Sequence, residues 1–390
     1  MNRQRFSVAV VGLGALGSAT AWQLARRGID VIGFEQFELG HERGASHDSS
    51  RIIRHSYHSP EYVRLTFEAY QDWATLESDA GESFVTVTGG LDLYPADAAI
   101  PPADYLAAMD ACAVPYEIIE PEALTRRWPQ LAVAGSTLAV FQERTGIVPA
   151  ARGTAAMQAQ ALAHGAILRD RSPVTAVHPL PSGEFEVVVG EDSYVVANVV
   201  VTADAWTNTV LENLDVRIPL TVTQEQVTYF APDNADVFTP DSFPVWIWMD
   251  DPSYYGFPCY GERTIKAAQD CGGPEVTSES RSFEPDAERR DRLAEFMART
   301  FPGSGRPIRS KTCLYTLTPD RDFVLGPVPG HPGATVGLGA AHGFKFAPTF
   351  GRLLADLATG TAPTTAVDLA GFRLDRPALT DAGYPVSWLV

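Results

Sequence analysis

The stretch Phe6–Gln36, "FSVAVVGLGALGSATAWQLARRGIDVIGFEQ", reads as strand, tight turn, helix and second strand. Val8 to Val11 form an unbroken apolar run, as expected of a strand buried on both faces. Gly12, Gly14 and Gly17 follow as GxGxxG and open a helix whose apolar positions include Ala21, Leu24 and Ala25 and which ends near Gly28. Glu35 lies at the end of the second strand, 18 residues beyond Gly17. Glycines so spaced let the backbone approach a pyrophosphate at a helix N-terminus, and an acid in that place accepts ribose hydroxyls. Gly12, Gly14, Gly17 and Glu35 therefore predict a bound dinucleotide. The acid disfavours a 2′-phosphate and hence NADP, which leaves FAD and NAD.

The layout downstream favours FAD. Residues 151–164 read as an alanine-rich helix closed by Gly165, with a strand at Ile167 and Leu168. A hairpin turning at Gly190 to Ser193 runs on into a buried strand over Val199–Thr202. Helix, strand, hairpin and strand after GxGxxG is the order of FAD-binding Rossmann-like folds. Near the C-terminus, "ATVGLGAAHGFKFAPTFGRLLADLATG" gives a strand, a turn with Gly337, Gly339 and Gly343, then a helix with Pro348 at its start. Phe346, Phe350, Leu353, Leu354 and Leu357 form that helix's apolar stripe. Its positive end, with Lys345 at the turn, suits the pyrimidine edge of a flavin, which becomes anionic on reduction. Residues 216–319 are instead rich in aromatic and β-branched strands; Trp246, Trp248, Tyr254 and Tyr255 are candidates to roof a pocket, although most aromatic strand residues of this kind are ordinary core.

The expected fold is thus α/β. A Rossmann-like FAD-binding domain (1–85, 146–215 and 320–375) is interleaved with an α+β substrate domain on an antiparallel sheet (86–145 and 216–319), and a tail follows from 376 to 390. The bulk numbers agree with two such domains. In 390 residues, 45% are apolar and 20% charged, as in an ordinary globular protein, and a net charge of −18 argues against nucleic acid or anionic membrane as partner. Four cysteines, at 112, 259, 271 and 313, lack CxxC spacing, which points to a reducing compartment and no metal centre. No apolar run reaches the roughly 18 residues of a membrane helix, so the expected location is cytoplasmic.

Three further segments carry candidate chemistry. In "GASHDSSRIIRHSYHSPEY", Ser46 as a cap predicts a helix with His47, Arg51 and Arg54 on one face, a cationic stripe for an anionic substrate or reduced cofactor. Lys266 closes an otherwise apolar strand. "SKTCLYTLTPDRDF", 310–323, reads as a strand with Lys311, Cys313, Tyr315 and Leu317 on one face, which sets thiol and phenol about 7 Å apart. By itself a lone cysteine is most often buried and inert.

Taken together, GxGxxG, "SHDSSRIIRH", "YYGFP" with a lysine downstream, "KTCLYTLTPDRDF" and "GAAHGFKF" resemble the monomeric sarcosine oxidase and N-methyltryptophan oxidase family over nearly the whole chain. The resemblance implies a fold of the glutathione reductase and D-amino-acid oxidase type. It also implies FAD held covalently, through an 8α thioether to Cys313, with Gly339 and Gly343 at the second flavin-binding turn. His47 and Arg51 then lie by the flavin, Arg54 and Lys345 hold a substrate carboxylate, Lys266 activates oxygen, and Tyr255 and Tyr315 line the pocket. The implied activity is oxidation of a secondary amine, an N-methyl or cyclic amino acid, to an imine, with O2 reduced to H2O2 by a monomeric enzyme. Two departures stand out. Asp270 occupies a position where sarcosine-specific members have histidine, which would favour a cationic substrate group or reject a second carboxylate. Asp204 stands where glycine is usual near the FAD. A tailoring oxidase or dehydrogenase of a cyclic amine is the alternative; a flavin-binding protein without catalysis ranks below both.

Overall fold

A computed structural model describes residues 4–387. Its first sheet has five parallel strands in the order Ile167–Arg169, Val31–Phe34, Gln4–Val11, Asp192–Val201 and His331–Leu338. The antiparallel strand Val324–Val328 adds to the last of these. Asp192–Val201 is shared along its length. Its first half pairs antiparallel with Phe185–Val189, which continues to Val174–Pro179, and its second half pairs with His331–Leu338.

Alternation along the first strand divides the core, since side chains two residues apart share a face. Val8 and Val10 join Trp22, Leu24, Phe350, Leu353 and Leu354 of the helical layer, whereas Ala9 and Val11 join Val187, Val199 and Val336 on the opposite side. The layer's helices are Ala15–Arg26, Ala150–Ala163 and Ala347–Ala358. On the last of these, Phe350, Leu353 and Leu354 are fully buried, each stabilising by roughly 1.5–3 kcal/mol relative to exposure. Gly351 lets it approach the first helix: a Cβ there would lie 2.5 Å from Ala19.

The second sheet runs in the order Arg306–Leu317, Thr221–Ala231, Ile265–Gln269, Tyr254–Phe257, Val245–Trp248, Gly90–Tyr94, Leu138–Gln142 and Glu117–Ile119. Every neighbouring pair is antiparallel except Val245–Trp248 with Gly90–Tyr94. The helix Ala287–Thr300 covers one face, where Trp246 packs on Phe301 with ring centroids 4.2 Å apart and Tyr254 stacks on Phe296 at 4.3 Å. Trp246, Trp248 and Tyr254 therefore belong to the core under that helix and do not roof a pocket; Tyr255, next in the strand, points the other way.

Two local expectations fail. Residues 46–54 are not helical: a loop leads into the strand Arg51–Ile53, which pairs antiparallel with Gly146–Val148. Ser46 does cap a helix, but another one. Its hydroxyl accepts from the Ala15 N–H at 2.9 Å, at the N-terminus that Gly14, lacking a side chain, cannot cap. Lys266 does not close its strand either; it is the second residue of Ile265–Gln269, buried in mid-sheet.

Candidate active site

One cleft runs between the two sheets, lined from Gly12 and Glu35 to Cys313 and Tyr255. At one end is the Gly12–Gly17 turn. Gly12 has φ +91°, and a Cβ on it would sit 2.7 Å from the Thr202 carbonyl; one on Gly17 would sit 1.8 Å from the Gly12 carbonyl. Only bare backbone fits there. Glu35 accepts hydrogen bonds from the Leu13 N–H at 3.0 Å and the Phe37 N–H at 3.1 Å, with His41 Nε2 3.3 Å away. Burial opposes its ionisation, but His41 and the two N–H groups outweigh that and hold it below the usual carboxylate range.

The strand Arg306–Leu317 brings Cys313 and Tyr315 to the middle of the cleft, with Tyr255 beside them. Burial pushes the Cys313 thiol up to about 11, against the nearby Arg51, Arg281 and Lys266, which favour the thiolate. Arg51 is fixed by three carbonyls, donating to those of Ala45 and Ser50 at 2.8 Å and of His47 at 3.0 Å. His47 lines the cleft with both ring nitrogens buried and unpartnered. It is no cation: burial first, then Arg51, pushes it down to about 4. Lys266 donates to Asp48 Oδ2 at 3.0 Å and the Ser50 carbonyl at 2.8 Å. Burial lowers it to about 8, with Arg51 adding to the effect and Asp48 opposing it. Asp48, next to His47 in the SHDSSRIIRH segment but given no role by the resemblance, sits at φ +79° and also accepts from Tyr229.

Arg54 and Lys345 lie in an adjoining buried cluster. Arg54 Nη1 is 3.4 Å from Asp92 Oδ1, and the Ser56 hydroxyl donates to the same carboxylate. Lys345 Nζ donates to Tyr57 Oη and to the His342 carbonyl, both at 2.8 Å, while Trp73 Nε1 donates to the Lys345 carbonyl at 2.8 Å. Burial, then Arg54, lowers Lys345 to about 7. Asp270 acts electrostatically on Lys345, Tyr57, Tyr255 and Tyr315, so it borders this cluster. It also acts on Arg321, whose Nη1 is 2.7 Å from Cys271 Sγ, so its charge is already partly balanced. Asp92 and Trp73 carry no signal in a single sequence, and Tyr57 and Arg321, inside the segments 44–62 and 310–323, are picked out only by partners distant along the chain.

At the second turn, Gly339, Ala341 and Gly343 line the cleft. Ala340 and Ala341 stand consecutively in the left-handed region, at φ +41° and +72°, each at a cost of about 1–2 kcal/mol. Asp204, at φ +46°, brings its carboxyl into the same cleft. The bare glycine turn, Glu35 beyond it, the orphaned His47 nitrogens and the Cys313 thiol along one channel fit a long dinucleotide such as FAD. Among the described residues no cluster of ligating side chains could hold a metal, and no helix is long and apolar enough to cross a membrane.

Residues 7–357 match the family described as FAD dependent oxidoreductase. A monomeric sarcosine oxidase of Streptomyces avermitilis is 33% identical over 366 residues, 91% of this chain and 94% of that protein. An N-methyl-L-tryptophan oxidase of Salmonella heidelberg is 27% identical, covering 95% and 99%. Among solved structures, NikD, an unusual amino acid oxidase essential for nikkomycin biosynthesis, superposes with a TM-score of 0.84 at 27% identity, covering 95% of this chain and 97% of that one.

Proposed function

The chain belongs to the FAD-dependent oxidoreductase family, among its sarcosine oxidase-like members, and from that we propose that it oxidises a secondary amine bearing a carboxylate, an N-methyl or cyclic amino acid, to an imine. One observation carries the reading: the cleft from the glycine turn to the Cys313 thiol adjoins a buried cluster in which Arg54 and Lys345 come together. FAD held there would supply the two-electron acceptor for the C–H bond beside the amine, with O2 as the final acceptor and H2O2 as the product.

The residues divide the remaining work. Arg54 and Lys345 clamp the substrate carboxylate by charge-assisted hydrogen bonds, which fix the α-carbon against the cofactor. Asp92 and Ser56 hold Arg54 in place, and Tyr57 with the Trp73-anchored carbonyl of Lys345 holds the lysine. His47, neutral, donates a hydrogen bond into the cleft, and Arg51 adds a fixed positive charge. Tyr255 and Tyr315 line the pocket. Lys266 presents a cation where oxygen is reduced, and Cys313 carries FAD through a thioether. Residues 1–85, 146–215 and 320–375 form the part that holds FAD.

A peroxide-coupled screen of N-methylated and cyclic amino acids tests the activity; no peroxide from any of them would sink it. Acid precipitation tests the tether: the pellet stays yellow in the wild type and turns white in Cys313→Ala. A second reading, a dehydrogenase or tailoring oxidase of a cyclic amine, is favoured by Asp270, whose charge borders the Lys345 cluster. Turnover with an artificial acceptor far exceeding peroxide yield in air would select it.

A further inference from the structure

Among the described residues, Asp204 is the acid of the cleft with no cation to answer its charge. It follows Thr202 and Ala203, which are packed against Gly12 of the pyrophosphate turn, and it lies across from Thr316 on the strand that carries Cys313. Its Oδ2 is buried without a hydrogen-bond partner, and so is the Thr316 hydroxyl. The groups facing it are few. The helix that follows, Thr207–Leu211, has no ionisable residue, the glycine turn has none, and the strand Arg306–Leu317 offers Thr316. The charged residues elsewhere in the cleft, Glu35, Asp48, Arg51 and Lys311, exert no resolved effect on it. Desolvation therefore dominates and raises the carboxyl to about 6; the Ala205 N–H and the Thr316 hydroxyl, which lies near the carboxyl but falls short of hydrogen-bond geometry, offset only part of the rise. The backbone is also held at φ +46°, a conformation aspartate tolerates better than most side chains but glycine adopts freely.

A cofactor reaching from the Gly12–Gly17 turn to Cys313 has to pass this carboxyl, and it brings two phosphates. An ionised Asp204 would face that added negative charge in a dry channel with no cation beside it. A protonated one would offer an O–H donor to the cofactor's acceptor oxygens and would satisfy the orphaned oxygen. We propose that Asp204 is a cofactor-binding residue that holds FAD in its protonated form, as a hydrogen-bond donor, so that capture of the flavin takes up a proton. The inference rests on the FAD reading above.

The sign of the pH effect follows. A ligand that binds the protonated form is held fully at low pH and loses affinity as the pH rises above the value at which the free carboxyl ionises. The limit is about tenfold in Kd per pH unit while the bound form stays protonated. The test uses full-length apoprotein from riboflavin-starved cells, in a Cys313→Ser background so that binding stays reversible. FAD affinity is read by quenching of flavin fluorescence from about pH 5 to about pH 8. The protein with Asp204 in place should bind FAD progressively more weakly across the upper half of that range. Asp204→Asn, which keeps a donor and tolerates the left-handed backbone, should bind FAD with little pH dependence and more tightly than the parent at about pH 8. Asp204→Gly separates backbone from side chain: it should also lose the pH dependence but bind more weakly than Asp204→Asn. If Asp204→Asn keeps the parent's slope, or if the parent's affinity rises with pH and Asp204→Asn abolishes binding, the proposal is overturned. Apoprotein that takes up no FAD at any pH, in any variant, overturns the flavin reading itself.

Discussion

Lys345 is the residue whose charge is most open to change near neutral pH. Burial and Arg54 lower it to about 7, so in the free protein it is cationic below that value and neutral above. Binding of a simple carboxylate such as acetate, read from the flavin spectrum, should therefore weaken as pH rises through about 7, and Lys345→Met should lose the inflection. Lys266 titrates higher, at about 8, because Asp48 supports its charge. Lys266→Met should slow reoxidation of the reduced enzyme by O2 by roughly 10²–10³-fold, the scale of one preorganised charge or donor, while anaerobic reduction by substrate changes much less. Both lysines are legible in the sequence, and so are Arg51, Arg54 and Asp270, which act on them; the burial that lowers them and the pairing of Lys266 with Asp48 are not. Asp48, Asp92 and Arg321 reach this region from distant segments, and a linear pattern of i, i+4 and i+7 implies a helix where the chain makes a loop and a strand.

Among the elements, those announced by periodicity and glycine were legible: the GxGxxG unit, the hairpin turning after Val189, and the helix Ala347–Ala358 with its apolar stripe. Sheet faces were not. An aromatic run such as Val245–Trp248 looks the same whether it meets a cofactor or a helix, and here Ala287–Thr300 takes it. Two element contacts are sharp enough to test. Gly351→Ala would press a methyl to 2.5 Å from Ala19. It should cost about 1–3 kcal/mol by overpacking, visible as a lower Tm. Arg289, from the covering helix, donates to Glu225 Oε2 at 2.7 Å inside the second sheet. Arg289→Ala strands that buried carboxylate and should cost about 3–5 kcal/mol in denaturant unfolding.

For the molecule as a whole, the two sheets meet along the cleft, one contributing the glycine turns and the other Cys313, Tyr315 and Tyr255. A cofactor touching both joins them, so in the Cys313→Ser variant FAD at ~1,000 times its Kd should add about 4 kcal/mol of stability, measured as a Tm that climbs with FAD concentration. The same interleaving orders events in time. Gln4 pairs in register with Tyr194, and Val199 with Ala334, so the parallel sheet cannot close until His331–Leu338 has been synthesised. Chains grow from the N-terminus at about 5–20 residues per second, and the walls of the cleft come together only at the end of that interval. Flavin capture is thus a step that follows synthesis, and a nascent chain stalled before His331 presents an open, apolar half-sheet to chaperones and proteases.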